Sequence, residues 1–346
     1  MKQIATQQEI DKICTLVQGA KRILILAHQN PDGDALGSIL GFTRWAEEIS
    51  DATIVKVIPD AYPDFLQWLP KASTILRYDK KPDEITNLFA EADLVVCLDF
   101  NEYSRVAKME QLLRDYHGSL IHIDHHLNPT LEADVVISQP NASSTCELVF
   151  KLVWQAGYFD KMDRFFHTPV FTGIMTDTGT FEYPNANPDT FSIVAELLNK
   201  GVDKAKIHRQ VYDTFSLNRM RLYGYVLHKK LKVLRNLHAS YFSLNREELE
   251  RFHFIKGDAE GLVNIPLQLK GHKLSISLRE DSQKDNLVWV STRSIENVPC
   301  NKLCAEFFNG GGHLNAAGGK LLCSIQEAEK IAEQAIKDFE NELTQV

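Results

Sequence analysis

Apolar positions recur along the chain in two rhythms. Nearly continuous apolar runs occur at Arg22-Ile-Leu-Ile-Leu-Ala27, Thr53-Ile-Val-Lys-Val-Ile58, Ala92-Asp-Leu-Val-Val-Cys-Leu98, Ser119-Leu-Ile-His-Ile123 and Ala133-Asp-Val-Val-Ile137. Such runs suit strands buried on both faces. Between them the spacing is helical, and strand–helix alternation predicts a mostly parallel, doubly wound α/β sheet. Ile10, Ile13, Leu16 and Val17 mark a helix over 6–19, with Thr6 and Glu9 placed for a capping box. Further helices are expected from Ala35 to Glu48 and from Ser143 to Trp154, where Ser144 and Glu147 offer a second box. Another opens at Asn187-Pro-Asp-Thr190 and ends near Gly201.

From 204 to 235 the pattern is long, basic and helical, without strong turn signals, and reads as a connector. The rhythm then changes. His238–Ser243, Lys273–Leu278 and Leu287–Arg293 alternate as half-exposed strands, and helices are expected at about 246–253, 300–308 and 325–343. The resulting division is a first domain over 1–203, a helical basic linker over 204–235, and a smaller mixed α/β domain over 236–346.

Composition narrows the function. The chain has 346 residues, 44% hydrophobic and 24% charged, ordinary for a soluble globular protein. No stretch approaches the roughly 18 apolar residues of a membrane span. No signal peptide is expected, because the first strong apolar run, Ile23–Ala27, is too short for one. A net charge of −8 argues against a long grip on duplex DNA. The charge is uneven, though: 204–235 holds nine Lys/Arg and one acid, Asp213. That stretch is either a solvated helical face or an electropositive wall near an anionic substrate. The six cysteines include no Cys-x-x-Cys, which disfavours zinc ribbons and thioredoxin chemistry. Cys97 reads as a core thiol, Cys300 and Cys304 as sharing a buried helix face, and the set as that of a reduced, cytoplasmic protein.

The candidate chemistry sits where three of the strands end and on a later Thr/Gly-rich loop. It comprises His28-Gln-Asn-Pro-Asp32-Gly-Asp34, the lone Asp99, Asp124-His125-His126, and Asp177 in Gly173-Ile-Met-Thr-Asp177-Thr-Gly179. Singly, each has an ordinary explanation: an Asx-turn, a helix cap, or a solvated loop. Jointly they offer carboxylate and imidazole donors with no thiolate, which suits Mn²⁺ or Mg²⁺ better than structural zinc. Two such ions clamp a phosphoryl group and make hydroxide available near neutral pH. Gly310-Gly311-Gly312-His313 is either a tight turn or a backbone cradle for phosphate. Arg293, ending an alternating strand, either faces water or forks onto a phosphate.

These residues resemble the DHH phosphoesterase superfamily. His28-x-Asn-Pro-Asp-Gly-Asp34, Asp99, Asp124-His-His126 and Asp177 match its four motifs in order, and 310–318 resembles the glycine-rich stretch of the DHHA1 domain. The size and layout are similar to the bifunctional oligoribonuclease/pAp phosphatases, where pAp is 3′-phosphoadenosine 5′-phosphate. The resemblance implies that His28, Asp32 and Asp99 hold one divalent ion. Asp34, Asp99, His125 and Asp177 would hold the other. Mn²⁺ is the first choice, with Mg²⁺ or Co²⁺ as alternatives. It further implies that His126 meets the substrate phosphate, that Asp124 orients the histidines, and that Arg293, Gly311, Gly312 and His313 bind the nucleotide. Expected partners are short RNA oligonucleotides, pAp or linear dinucleotides, with no membrane, and a homodimer is compatible with this reading. The one departure is Asn309, where some relatives carry a further glycine. Competing readings within the superfamily are an inorganic pyrophosphatase, a RecJ-like single-strand exonuclease and a cyclic-dinucleotide phosphodiesterase. A catalytically silent regulator would be expected to lack a ligand position, and none is lacking.

Overall fold

A computed structural model describes residues 1–255 and 257–344. The chain forms two compact units, Met1–Thr214 and Phe215–Val346. In the first, α1 (Gln7–Gly19), β1 (Arg22–Leu26), α2 (Gly33–Ile49), β2 (Thr53–Ile58), β3 (Leu76–Arg77), α3 (Pro82–Glu91) and β4 (Leu94–Leu98) follow in order. Then come α4 (Glu110–Arg114), β5 (Ser119–Asp124), β6 (Val135–Ser138), α5 (Thr145–Gln155), α6 (Arg164–Asp177), α7 (Pro188–Asn199) and α8 (Lys204–Tyr212).

The strands pair in parallel in the order β3-β2-β1-β4-β5-β6, so the expected doubly wound sheet forms. Strand β3 is two residues long, too short to leave a periodic trace in the sequence. Within β1, Ile23 and Ile25 join the core that includes α1, α2, α5 and α6, whereas Leu24 and Leu26 pack with Ile85 and Phe89 of α3. Both faces are covered, which is why these strands read as continuous apolar runs. Strand order reverses between β1 and β4, and that reversal opens a crevice at the carboxyl ends of the strands.

A glycine face fixes how closely α6 approaches α2. Gly33, Gly37 and Gly41 are spaced by four and so lie on one side of α2. A Cβ on Gly37 would stand 2.5 Å from the Pro169 carbonyl oxygen and 2.7 Å from Cys146 Sγ. One on Gly41 would stand 2.5 Å from Val170 Cγ2, and one on Gly33 would overlap the Thr176 side chain. Three glycines in a helix cost about 1 kcal/mol each against alanine, so close packing must offset them.

The caps are formed partly as expected. Thr6 Oγ1 accepts the Glu9 N–H at 3.3 Å and the Glu9 carboxylate accepts the Thr6 N–H at 2.8 Å, completing the first capping box. At α5 only half of the second box is made. Ser144 accepts the Glu147 N–H at 3.0 Å, but Glu147 turns its carboxylate to the Ser143 hydroxyl at 2.7 Å, Lys151 at 2.8 Å and Thr190 at 2.8 Å. Glu147 is buried, and partners on its own helix and on α7 outbid the local cap.

The second unit contains α9 (Leu217–Tyr225), a π-helical turn at Val226–Lys230, β7 (Lys232–Leu234), β8 (Ala239–Leu244) and α10 (Arg246–Arg251). After a 3-10 segment at Leu262–Gln268 come β9 (Leu274–Glu280), β10 (Val288–Ser294), α11 (Cys300–Phe307), β11 (Gly311–Gly312), β12 (Ala316–Leu321), α12 (Ile325–Asp338) and α13 (Glu340–Thr344). Its mixed sheet runs β11-β12-β10-β9-β8-β7, with β8 and β9 parallel and the other pairs antiparallel. Cys300 and Cys304 share the face of α11 that enters this unit's core. The stretch 204–235 is not one helix. It stops after Tyr212 and restarts at Leu217, where Ser216 accepts the Arg219 N–H at 3.0 Å as an N-cap.

Candidate metal centre

Strand β1 delivers His28 just past its carboxyl end. The ring bonds through Nδ1 to the Gln29 carbonyl oxygen at 2.7 Å. That leaves Nε2 as the donor atom, 3.3 Å from Asp99 Oδ2 and 3.9 Å from Asp32 Oδ1. Asp99 follows β4 with φ +67°, a left-handed conformation that aspartate tolerates better than most residues. Its N–H donates to the Ile123 carbonyl at 3.1 Å, and its side chain is 2% exposed. The two oxygens of Asp99 point different ways. Oδ2 meets His28, whereas Oδ1 accepts the Thr145 hydroxyl at 3.0 Å and lies 3.7 Å from His125 Nε2.

Asp32 is the N-cap of α2, its Oδ1 accepting the N–H groups of Asp34 and Ala35 at 3.0 Å each. The ordinary role for this loop is therefore real, and it coexists with the approach to His28. Asp34, in the first turn of α2, receives the N–H of Thr145 at 2.6 Å and of Cys146 at 2.9 Å. These are otherwise unsatisfied amides at the start of α5, positively polarised by the helix. Asp177 is the last residue of α6, and its Oδ2 lies 3.5 Å from His125 Nε2. Asn185 donates to the Asp177 carbonyl at 3.2 Å and the Ser143 carbonyl at 3.0 Å, pinning that helix end. His125 approaches the Ala142 carbonyl through Nδ1 at 3.3 Å.

Two donor groups result, His28/Asp32/Asp99 and Asp34/His125/Asp177, each with ligand atoms within 4.8 Å of one another. A third, Asp99/Asp124/His126, adjoins them. Within the Asp124-His-His triplet the residues are placed differently. Asp124 is fully buried and accepts both His126 Nδ1–H at 2.7 Å and the His126 N–H at 3.1 Å. Burial alone would raise the Asp124 carboxyl. The His126 hydrogen bond and charge, followed by the charges of His122 and His125, hold it below the usual range.

Asp99 and Asp177 are not compensated in this way. Burial, then Asp34, Asp32, Asp177 and Asp124, pushes the Asp99 carboxyl well above its ordinary range. Burial and the carboxylates of Asp34 and Asp32 do the same to Asp177. Burial lowers His28, which favours a neutral ring able to act as a ligand. Among the described residues no lysine or arginine forms an ion pair with Asp34, Asp99 or Asp177. Clustered like charges out of water need cations between them. A donor set of carboxylate oxygens and imidazole nitrogens therefore fits two divalent ions.

Sequence reading missed three contributors. Thr145 and the α5 amides grip Asp99 and Asp34 from more than forty residues away in the chain. Arg105 lies beside His28: its carbonyl accepts the Gln29 N–H at 2.7 Å, its charge helps lower the ring, and its buried Nε has no hydrogen-bond partner among the described residues. The third is the glycine face of α2, whose four-residue spacing was a visible signal.

In the second unit, Arg293 lies in β10 opposite Ala316 of β12 and donates to the Thr292 carbonyl at 2.9 Å. Gly311 and Gly312 pair with Gly318 and Ala317 on the other side of β12, and the His313 N–H donates to the Ala316 carbonyl at 2.8 Å. Arg293 and the glycine loop therefore share one end of the sheet. Asn309, the departure from the glycine pattern, has φ +48°, a left-handed conformation that asparagine adopts readily.

Residues 22–174 match the DHH family, N-terminal domain. The chain is 42% identical, over the whole of both chains and with a TM-score of 0.95, to the crystal structure of an exopolyphosphatase-related protein from Bacteroides fragilis. It is 29% identical to the bifunctional oligoribonuclease and PAP phosphatase NrnA of Thermus thermophilus, covering 93% of this chain and 90% of that protein. It is 27% identical to the NrnA of Bacillus subtilis, covering 89% and 92%. Family, fold and donor geometry agree, and the chain belongs to the DHH family as one of its metal-dependent phosphohydrolases.

Proposed function

We propose that this chain is a Mn²⁺-dependent hydrolase that cleaves short oligoribonucleotides to nucleoside monophosphates and dephosphorylates pAp. The observation that carries the reading is the divided carboxylate of Asp99, with one oxygen toward each donor group. That arrangement supports a shared ligand between two ions. His28 and Asp32 would complete one site, and Asp34, His125 and Asp177 the other. Bound divalent ions supply Lewis-acid activation of a phosphoryl group and hydroxide near neutral pH.

The chain's own residues do the rest. Asp124 holds the proton of His126 on Nδ1, so Nε2 is the nitrogen that can serve a departing oxygen. Nδ1 contacts to the Gln29 and Ala142 carbonyls turn the Nε2 atoms of His28 and His125 inward. Arg293, Gly311, Gly312 and His313 are assigned to the nucleotide, and the NrnA relatives support that choice of substrate class.

The test is a panel of dinucleotide to pentanucleotide RNA, pAp, cyclic dinucleotides and pyrophosphate, assayed with Mn²⁺. Nucleoside monophosphates from short RNA and AMP from pAp are expected, with turnover lost on chelation. Hydrolysis confined to pyrophosphate would overturn the reading. Asp99→Ala should abolish turnover with an unchanged circular dichroism spectrum, and an active variant would sink the shared-ligand assignment.

A further inference from the structure

One face of the second unit's sheet is only half covered. Phe242 and Leu244 of β8 pack under Leu222, Tyr223, Val226, Leu249, Leu262 and Val263. On β10 the inward residues Val288 and Val290 belong to the opposite core, and Trp289, Ser291 and Arg293 alternate outward. Strand register extends this outward face sideways. Trp289 stands opposite Lys320 on β12 and Arg279 on β9, and Ser291 stands opposite Gly318. Trp289, Ser291 and Lys320 are exposed. The middle of the strip is flat because Gly318 has no side chain and Ser291 a small one.

The strip's chemistry is specific. The indole of Trp289 is held by donating Nε1–H to Asp281 at 2.8 Å, and the ring remains 39% exposed. Arg279 stacks on Phe254, 5.1 Å from the ring centroid. Among the described residues Arg279, Arg293 and Lys320 form no ion pair. Asp281, whose charge also acts on Arg279, accepts from Trp289, Gln283 and Lys284. An exposed aromatic held in place, with Lys320 and Arg293 beside it forming no ion pair among the described residues, matches the stacking-plus-charge pattern that holds single-stranded nucleic acid.

We infer that the Arg293–Ser291–Trp289 strip, with Lys320 beside it, binds the part of an oligonucleotide that lies beyond the nucleotide being hydrolysed, Trp289 stacking on a base. Arg293 lies four residue steps along the strand from Trp289, about 13 Å. That exceeds one nucleotide step, so pAp held at Arg293 does not reach the indole and a longer strand does. Trp289 is thus a specificity residue that favours oligonucleotides over pAp. This rests on the proposed function for its anchor at Arg293.

Steady-state kinetics of Trp289→Ala and Trp289→Phe on pAp and on tri- to pentaribonucleotides test it. Trp289→Ala should raise KM for the oligonucleotides about 5- to 150-fold relative to that for pAp, with Trp289→Phe restoring most of the loss. Lys320→Ala should reduce the salt dependence of oligonucleotide KM. Fluorescence titration with a non-hydrolysable oligonucleotide, comparing the wild type with Trp289→Phe, reads the strip without turnover. Wild-type hydrolysis with an unchanged length preference in Trp289→Ala overturns the strip. No wild-type hydrolysis, but Trp289-dependent binding in the titration, supports the strip and overturns the proposed function instead.

Discussion

Replacing Gly37 by alanine sets helix propensity against packing, and the two predict opposite signs. On propensity alone the change stabilises α2 by about 1 kcal/mol. The structure says otherwise. The new Cβ would lie 2.5 Å from a backbone oxygen, Pro169 O, short of the ordinary contact range of 3.4–4 Å. A backbone atom yields only if α6 moves, and overpacking of this kind costs about 1–3 kcal/mol. A net destabilisation of up to about 2 kcal/mol is expected, in place of the gain of about 1 kcal/mol that propensity alone would give. The same movement separates Asp34 on α2 from Asp177 on α6, both of which face His125. A misplacement approaching 1 Å costs on the order of 10²-fold in rate. Stability to urea and the rate of hydrolysis assayed with Mn²⁺ should therefore fall together. Gly19→Ala is the control, because nothing lies within 4 Å of its Cβ position. It should be neutral or stabilising, by at most about 1 kcal/mol, with full activity. A Gly37→Ala protein as stable and as active as wild type would refute the claim that the glycine face sets the helix spacing.

Further outcomes follow from individual contacts. Thr145→Val keeps the buried volume but removes the hydroxyl that donates to Asp99, and should weaken Mn²⁺ binding or activity about 10- to 100-fold in calorimetric and kinetic titrations. Unchanged affinity and rate would exclude an orienting role. Lys151→Met leaves Glu147, 1% exposed, without its cation and should cost about 3–5 kcal/mol in denaturant unfolding; a loss below about 1 kcal/mol would show the network to be slack. His167 is buried against Phe159 and Phe166, and burial, then Lys200, lowers its pKa to about 4. Its neutral form supports the fold above the unfolded-state value near 6.5, and that support is lost as pH falls through the window down to about 4. His167→Phe should remove about 2 kcal/mol of the stability difference between pH 7 and pH 5. An unaltered pH profile would refute the assignment.

Much of the fold was legible because its causes are local. Strands buried on both faces write continuous apolar runs, and Thr6 with Glu9 writes a cap within one turn. Other features had no local cause. Glu147 looked like a capping residue and was diverted by Lys151 and Thr190, the latter 43 positions away. The break at Asp213–Ser216 was masked by helical spacing on either side of it.

For the candidate site, sequence alone determined which donors stand at the strand ends. A parallel α/β pattern places the residues after each strand at one edge of the sheet, whatever the packing. That covered His28, Asp99, Asp124 and the histidines that follow. Tertiary structure alone decided what each donor atom faces. The Asp34 carboxylate is set by α5 amides 111 and 112 residues away, and Asp177 reaches His125 because glycines let α6 approach α2. Hydrogen-bond direction and helix spacing depend on partners brought together only by folding, and no local pattern in the chain encodes them.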